Sequence, residues 1–166
     1  MRALLKAGIV VPWVAVATAM ACHHASRTSS AAIEPDSLIG VVSVTGTAFE
    51  QHLVLRSGSS VTPLSAATSD SAALSRLGGV EVLVIGRREP KLFRVTRFTA
   101  VNVAGSPVVD GFVRKDGDRL VLETTHGQIP LGNPPTALRG MIGARIWVGG
   151  PVETGPNTYG VIVPAQ

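Results

Sequence analysis

Residues 53–64 read LVLRSGSSVTPL, and residues 120–131 read LVLETTHGQIPL, so one framework recurs 67 positions later without a gap. Each copy has an apolar triplet, a turn of small or polar residues, and a Pro-Leu pair at its end. The segments on either side of the turn have the length and apolar content of short strands. This stretch therefore predicts a β-hairpin that occurs twice in the chain.

The agreement between the two copies continues C-terminal to the hairpins. At a constant offset of 64, apolar residues and glycines recur in the same order: Leu74, Leu77, Gly79, Val82, Val84 and Gly86 match Leu138, Met141, Gly143, Ile146, Val148 and Gly150. Residues 93–95 correspond to residues 159–161. Because solenoid units usually have about 20 to 50 residues, a period in the sixties predicts two copies of a small domain.

The elements within each copy follow from periodicity and from the 18 glycines and 11 prolines, which favour short strands over long helices. Ser69-Asp70-Ser71 is a candidate cap for a short helix that Gly78-Gly79 would end. A second helix or turn is expected after Pro134-Pro135. The strands are expected at residues 40–46, 51–56, 59–64, 80–86 and 92–103, and again at residues 110–115, 119–124, 127–131, 143–149 and 158–163.

Three strands, a helix and two strands is the element order of the OB-fold, a five-stranded Greek-key barrel. By this order the mainly β body resembles two tandem OB-like barrels, residues 40–105 and 106–166, although an SH3-like or other small barrel also remains open. Small barrels joined by the short segment 104–107 are expected to pack together. With Val80, Val82 and Val84 inward, we expect the outward residues Leu83, Ile85 and Trp147 in an inter-barrel or partner interface.

The N-terminal segment has the parts of a secretory signal. Arg2 and Lys6 precede an uncharged, mostly apolar run over residues 7–21, and Cys22 follows Ala19-Met20-Ala21. Residues 1–21 are therefore expected to be a signal peptide. Its removal lowers the formal net charge from +4 to +2, because two cations and no carboxylate leave.

Cys22 is the only cysteine of the chain. Its position resembles the lipobox of bacterial lipoproteins, which implies acylation of Cys22 and anchoring in a membrane. Ala19 stands where the lipobox has Leu, and the same residues also suit ordinary signal peptidase, which would leave a soluble protein. Because lipoproteins of the inner membrane commonly carry Asp where this chain has His23, the resemblance implies the outer membrane, facing the periplasm. Residues 22–39 are expected to be the lipidated cysteine and a disordered tether.

The basic residues form one cluster on the turn between the fourth and fifth strands: Arg87, Arg88, Lys91, Arg94 and Arg97. This cluster is a candidate contact for an anionic ligand or a partner, and its alternative is a solvated hairpin. Nucleic acid is not expected, because residues 51–64 and 119–131 contain no aromatic residue for base stacking.

No catalytic or metal-binding motif is present in the sequence. It has no Gly-x-Ser-x-Gly elbow, no phosphate loop and no His-Glu-x-x-His motif, and His23-His24 supplies too few ligands for a closed metal site. Asp110, Asp116 and Asp118 are expected to surround a hairpin turn. We therefore expect neither enzyme activity nor a cofactor.

These observations predict a non-enzymatic lipoprotein of the cell envelope that acts as a binding or assembly module. It resembles the small β-rich envelope lipoproteins of Gram-negative bacteria, a resemblance that implies no substrate. The expected partners are the membrane, through acylated Cys22, and an envelope protein, a glycan or a lipid head group. The alternative is a soluble periplasmic binding protein for a small or anionic ligand.

Overall fold

The computed structural model describes residues 35–47 and 49–166, so the predicted signal peptide, Cys22 and most of the predicted tether lie outside the described residues. The described part is mainly β, with ten strands and two short helices. The elements are β1 (Asp36–Gly46), β2 (Gln51–Ser57), β3 (Ser60–Ser65), α1 (Thr68–Ser75), β4 (Val80–Arg88), β5 (Phe93–Val103), β6 (Ser106–Asp116), β7 (Arg119–Thr124), β8 (Gly127–Pro130), α2 (Thr136–Arg139), β9 (Arg145–Gly149) and β10 (Thr158–Val163).

The first five strands, here called the first half, close into a ring. β1 pairs with β2 and β4, β2 pairs with β3, and β4 pairs with β5, all antiparallel. A short parallel pairing of Leu64 with Phe93 joins β3 to β5 and completes the ring. Val42, Leu55, Leu74, Val82 and Phe93 are among the fully buried side chains inside it, as the alternation in these strands requires.

The last five strands, here called the second half, pair in the same order. β6 pairs with β7 and β9, β7 pairs with β8, and β9 pairs with β10. Among the described residues no pairing joins β8 to β10, so this half remains open where the first half is closed. Val113, Leu122, Leu138, Ile146 and Val148 form the centre of its core.

In the pairs of β1 with β2, β1 with β4 and β2 with β3, the register of the first half recurs in the second half. Val42 lies opposite Leu55 as Val113 lies opposite Leu122. On the other edge of the same strands, Gly40 lies opposite Val82 as Gly111 lies opposite Ile146. The first strands therefore correspond at an offset of 71, a relation that the sequence comparison missed because the two glycines are the main identical residues. The expected match of residues 93–95 with residues 159–161 is wrong, because Tyr159 lies opposite Val148 as Phe98 lies opposite Val84.

A two-residue turn joins the two halves without a separate linker. Ala104 has φ 50° and Gly105 has φ 81°, and β5 and β6 pair on either side of them. Two positive φ angles are typical of a type I′ hairpin turn, whose twist matches that of the flanking strands. The chain thus passes from the first half to the second half through one hairpin.

Three sequence-based assignments need correction. The strand expected at residues 110–115 begins at Ser106, as β6. β1 begins at Asp36, so residues 36–39 of the expected tether belong to a strand that pairs with β4. Leu38 packs against the first core, whereas its polar neighbours had made the segment look like linker. The N-cap of α1 is Ala67 with no side-chain cap bond, so the Ser69-Asp70-Ser71 cap is wrong. The hydroxyl of Ser71 donates to Ala66 O instead (3.2 Å).

Candidate binding cleft between the two halves

The main candidate site arises where β5 and β6 part from each other. They pair only beside their turn, at Asn102↔Pro107 and Val103↔Ser106. Beyond that point β5 continues into the ring of the first half, whereas β6 pairs with β7 and β9. The separation leaves a cleft of about 500 Å³ between the halves, lined by Asp70, residues 96–99, residues 110–112, Arg114, residues 123–125 and Arg145.

A buried ion pair forms the floor of this cleft. The carboxylate of Asp110 accepts hydrogen bonds from Arg145 Nε (2.9 Å) and Nη2 (2.8 Å) and from the backbone N–H of Ala100 (2.9 Å). Arg145 Nη2 also donates to Phe98 O (2.6 Å), and the guanidinium lies 4.4 Å from the centroid of the Phe98 ring. The pair therefore ties β6 and β9 to the edge of β5, where backbone groups would otherwise be buried without partners.

One wall of the cleft presents an exposed aromatic ring. Phe112 on β6 is 38% exposed, and the Arg114 guanidinium lies 5.3 Å from its ring centroid. Arg114 Nε donates to Glu123 Oε2 (2.8 Å), so the charge of Arg114 is already compensated. Thr124 and Thr125 extend this wall with hydroxyl groups. The wall combines apolar surface with several polar groups, which is typical of a site that binds small molecules.

The opposite wall is formed by β5 and α1, and it carries the remaining charges of the cleft. Arg97 lies there between Thr96 and Thr99, and Asp70 is contributed by α1. Neither Arg97 nor Asp70 has an ion-pair partner among the described side chains. The lining of the cleft thus includes one guanidinium and one carboxylate without an ion-pair partner, Arg97 and Asp70, together with exposed Phe112. A guanidinium and an aromatic ring are groups that bind an anionic ligand with an apolar face.

The basic residues that the sequence singled out do not act as one cluster. All five side chains are exposed, but Arg88 Nε pairs with Asp36 Oδ2 (3.1 Å) and Arg94 forms two hydrogen bonds to Glu89 (2.6 and 3.3 Å). The hydrogen bond from Arg94 lowers the pKa of Glu89, and the same bond raises the pKa of Arg94.

The remaining members of the basic set are Arg87, Lys91 and Arg97. Arg87 lies opposite Arg94 across the strands, and Lys91 lies on the turn. Arg97 follows a register shift in β5 and lines the cleft. Of the five, only Arg97 belongs to the candidate site.

The predicted interface residues fall into two separate places. Trp147 packs, partly buried, against the core of the first half, and its indole occupies the space where a side chain at residue 160 would lie, which explains Gly160. Leu83 and Ile85 are half-buried on the outer surface of β4, beside Ile39 of β1.

Apart from Arg97, the residues that line the cleft were not predicted from the sequence. Asp110 was grouped with Asp116 and Asp118 at a turn, whereas the structure places it near the middle of β6, bonded to Arg145. One signal was present: Asp110 and Arg145 occupy the repeat positions that hold Ile39 and Glu81 in the first half. The second copy thus has an Asp–Arg ion pair where the first copy has Ile39 and Glu81. This difference marks a place where the two copies have different surroundings.

The described residues contain no group of three or more His, Cys, Asp or Glu side chains that could hold a metal ion. In the part of the chain that the structure describes, no helix has the length and apolar character needed to cross a membrane. Comparison with protein-family models, with curated proteins and with solved structures found no match to the chain.

Proposed function

We propose that this protein is an exported, non-enzymatic binding module of the cell envelope, and that it binds an anionic ligand in the cleft between its two halves. The observation that carries the proposal is that exposed Phe112 and Arg97, which has no ion-pair partner among the described side chains, line the same cleft. A ring face and a charge-assisted hydrogen bond together recognise a ligand that has one apolar face and one carboxylate or phosphate. An acidic glycan of the envelope has this chemistry.

The proposed architecture is two tandem OB-like barrels, of which the second is open. The closed ring of β1, β2, β3, β5 and β4, with its parallel contact between β3 and β5, supports the OB-like assignment of the first half. The repeated register supports the same assignment for the second half. β2, β3, β7 and β8 carry no aromatic residue, so the proposal does not include nucleic acid.

The proposal includes no catalytic activity. The carboxylates of Asp110 and Glu123 in the cleft are both bonded to arginines, and neither histidine nor cysteine lines it among the described residues. A nucleophile beside a general base, which acyl or glycosyl transfer would need, is therefore not part of the proposed site.

Ligand binding is tested with the full-length chain and oligosaccharides of uronic acids, each compared with the neutral oligosaccharide of the same length. We expect thermal stabilisation by the acidic series alone, because the neutral series lacks the partner for Arg97. Arg97→Gln and Phe112→Ala should each weaken binding at least about tenfold, the order expected for one charge-assisted bond or one stacked ring. Arg56→Gln is the matched control, since Arg56 is also exposed and lies on β2, outside the cleft.

Equal stabilisation by the acidic and neutral series would contradict the role of Arg97. If neither series stabilises the protein thermally, and inorganic phosphate and phospholipid head groups do not stabilise it either, the ligand-binding proposal is wrong. Binding that survives Arg97→Gln but falls in Arg56→Gln would move the site to β2.

Envelope anchoring through acylated Cys22 is a separate part of the proposal, supported by the lipobox-like residues 19–22. Several acyl chains hold a protein firmly at a membrane, because each buried methylene contributes about 0.8 kcal/mol. We expect the wild-type chain in the membrane fraction and Cys22→Ser in the soluble fraction of the same cells. Equal solubility of the two chains would favour the alternative, a soluble periplasmic binding protein.

A further inference from the structure

Each half has an outer surface formed by its first and fourth strands. The outer surface of the second half, on β6 and β9, is covered by the first half. Asp110 on β6 and Arg145 on β9 bond to backbone groups of β5. Trp147, the strand neighbour of Asp110, packs against the core of the first half together with Val108. In the second half this outer surface is therefore an interface.

The corresponding surface of the first half has apolar residues, and residues 35–47 and 49–166 form no such cover over it. The repeated register matches Ile39 to Asp110, Leu83 to Trp147 and Glu81 to Arg145. Ile39 is 52% exposed, Leu83 is half-buried beside it, and Ile85 continues the same outward row of β4. We call Ile39, Leu83 and Ile85 the outer apolar face.

The charges at the two ends of the outer apolar face are opposite. Glu81 and Val41 lie at one end, and Arg97 lies opposite Ile85 at the other end, about 13 Å away at the usual rise of a strand. Within the described part of the chain neither Glu81 nor Arg97 forms an ion pair. A twofold axis through Leu83 would place Glu81 of each copy beside Arg97 of the other.

We propose that the outer apolar face binds a second copy of this chain, face to face about a twofold axis. The equivalent surface of the second half, which carries other residues, packs against the first half, so this face of the repeat forms an interface once already. A head-to-tail arrangement would need the edge of β5 that Asp110 and Arg145 already occupy, at Ala100 N and Phe98 O. A twofold contact uses the same surface on both copies and so requires no other site.

The proposal is tested by sedimentation of the full-length chain in mild detergent, with Cys22→Ser as the background so that acylation and native disulfides play no part. We expect a dimer, and at least about a tenfold increase in its dissociation constant for Ile39→Asp, because a carboxylate would be buried in an apolar contact. The matched control is Val61→Asp on β3, since Val61 is 51% exposed and lies outside the outer apolar face. This control should dimerise like the background chain.

Charge reversal provides a test that does not depend on the folding of Ile39→Asp. Glu81→Arg should weaken the dimer, and Glu81→Arg combined with Arg97→Glu should restore it. In the same background, Ile39→Cys should form a disulfide-linked dimer under mild oxidation, and Val61→Cys should not.

Three results would overturn the proposal. They are a monomer at about 100 µM, a dimer unaffected by both Ile39→Asp and Glu81→Arg, and an Ile39→Cys chain that crosslinks in cells to a different protein only. Ile39→Asp and Glu81→Arg change no residue that lines the cleft, so their effects on association are distinguishable from a loss of ligand binding, whereas Arg97→Glu would affect both.

Discussion

Removal of either member of the Asp110–Arg145 pair should destabilise the fold, because the pair is buried and joins the two halves. The side chains are 2% and 18% exposed, respectively, and together they bond to Ala100 N and Phe98 O. Loss of one partner from a buried pair usually costs 3 to 5 kcal/mol, and the partial exposure of Arg145 favours the lower value. We expect Asp110→Leu and Arg145→Met each to lower the free energy of unfolding by about 3 kcal/mol.

The double variant Asp110→Leu/Arg145→Met distinguishes the contribution of the ion pair to stability from that of the two hydrogen bonds to the backbone of β5. It leaves no uncompensated charge, but Ala100 N–H and Phe98 O still lose their partners, at a cost of about 1 to 3 kcal/mol. We expect the double variant to be about as unstable as either single variant, which corresponds to a coupling energy of about 3 kcal/mol. Urea unfolding followed by circular dichroism gives the free energy of unfolding of the wild type and the three variants. Equal dependence of this free energy on urea concentration would show that the four chains expose similar surface on unfolding.

The Arg114–Glu123 pair is the control for this cycle, because its side chains are 47% and 45% exposed at a similar distance of 2.8 Å. Exposed pairs contribute about 0 to 1 kcal/mol, so Arg114→Met and Glu123→Leu should have small effects and little coupling. A coupling energy below about 1 kcal/mol for Asp110 and Arg145, similar to the control pair, would refute the reasoning that this pair holds the halves together.

Three further predictions concern local features of the described chain. Ala104→Asn should raise the free energy of unfolding by about 0.5 to 1 kcal/mol, because Asn tolerates the positive φ of the turn better than Ala; a loss in urea unfolding would contradict the turn assignment. Gly111→Ala should lower it by about 2 kcal/mol, because the added carbon would lie 2.5 Å from Glu123 O; wild-type stability would show that β6 can shift. Glu89 should titrate below its ordinary value of 4.5 by NMR and return toward that value in Arg94→Gln, since the hydrogen bond from Arg94 lowers its pKa. The pairing therefore stabilises the fold above the ordinary pKa and is lost as the pH falls through the lowered value, and an unchanged titration in Arg94→Gln would contradict this.

Local patterns predicted the elements of this chain well, because strands such as β1 and β4 alternate clearly. Val80, Val82 and Val84 are buried as the alternation requires, and the second hairpin, residues 119–124 and 127–130, lies within a residue of its expected position. The start of β1 was placed four residues late because Asp36 and Ser37 are polar, although they pair with β4. Exposed residues at the start of a strand are polar, as the residues of a linker are, so composition alone does not distinguish the two.

The candidate cleft could not be predicted in the same way, because it depends on where two distant segments meet. Asp110 and Arg145 are 35 positions apart, and Arg145 reaches Phe98 O across 47 positions. No local period contains such contacts, since the bonds to Phe98 O and Ala100 N exist only where the second half meets the edge of β5. Part of the charge of the basic cluster is compensated by neighbouring carboxylates, as in the Arg94–Glu89 pair, which the sequence pattern did not predict.

Comparison of the two copies recovers some of this missing information. Positions inside the cores hold similar residues in both halves, such as Val42 and Val113, because both interiors impose the same requirement. On the outer surface the requirement differs: Asp110 must complete the edge of β5, whereas Ile39 in the same repeat position has no such edge to meet. Where the two copies have different residues on the outer surface, the difference therefore reflects what each surface contacts. The apolar side chain of Ile39, in place of Asp110, is the physical basis for our proposal that a second copy binds there.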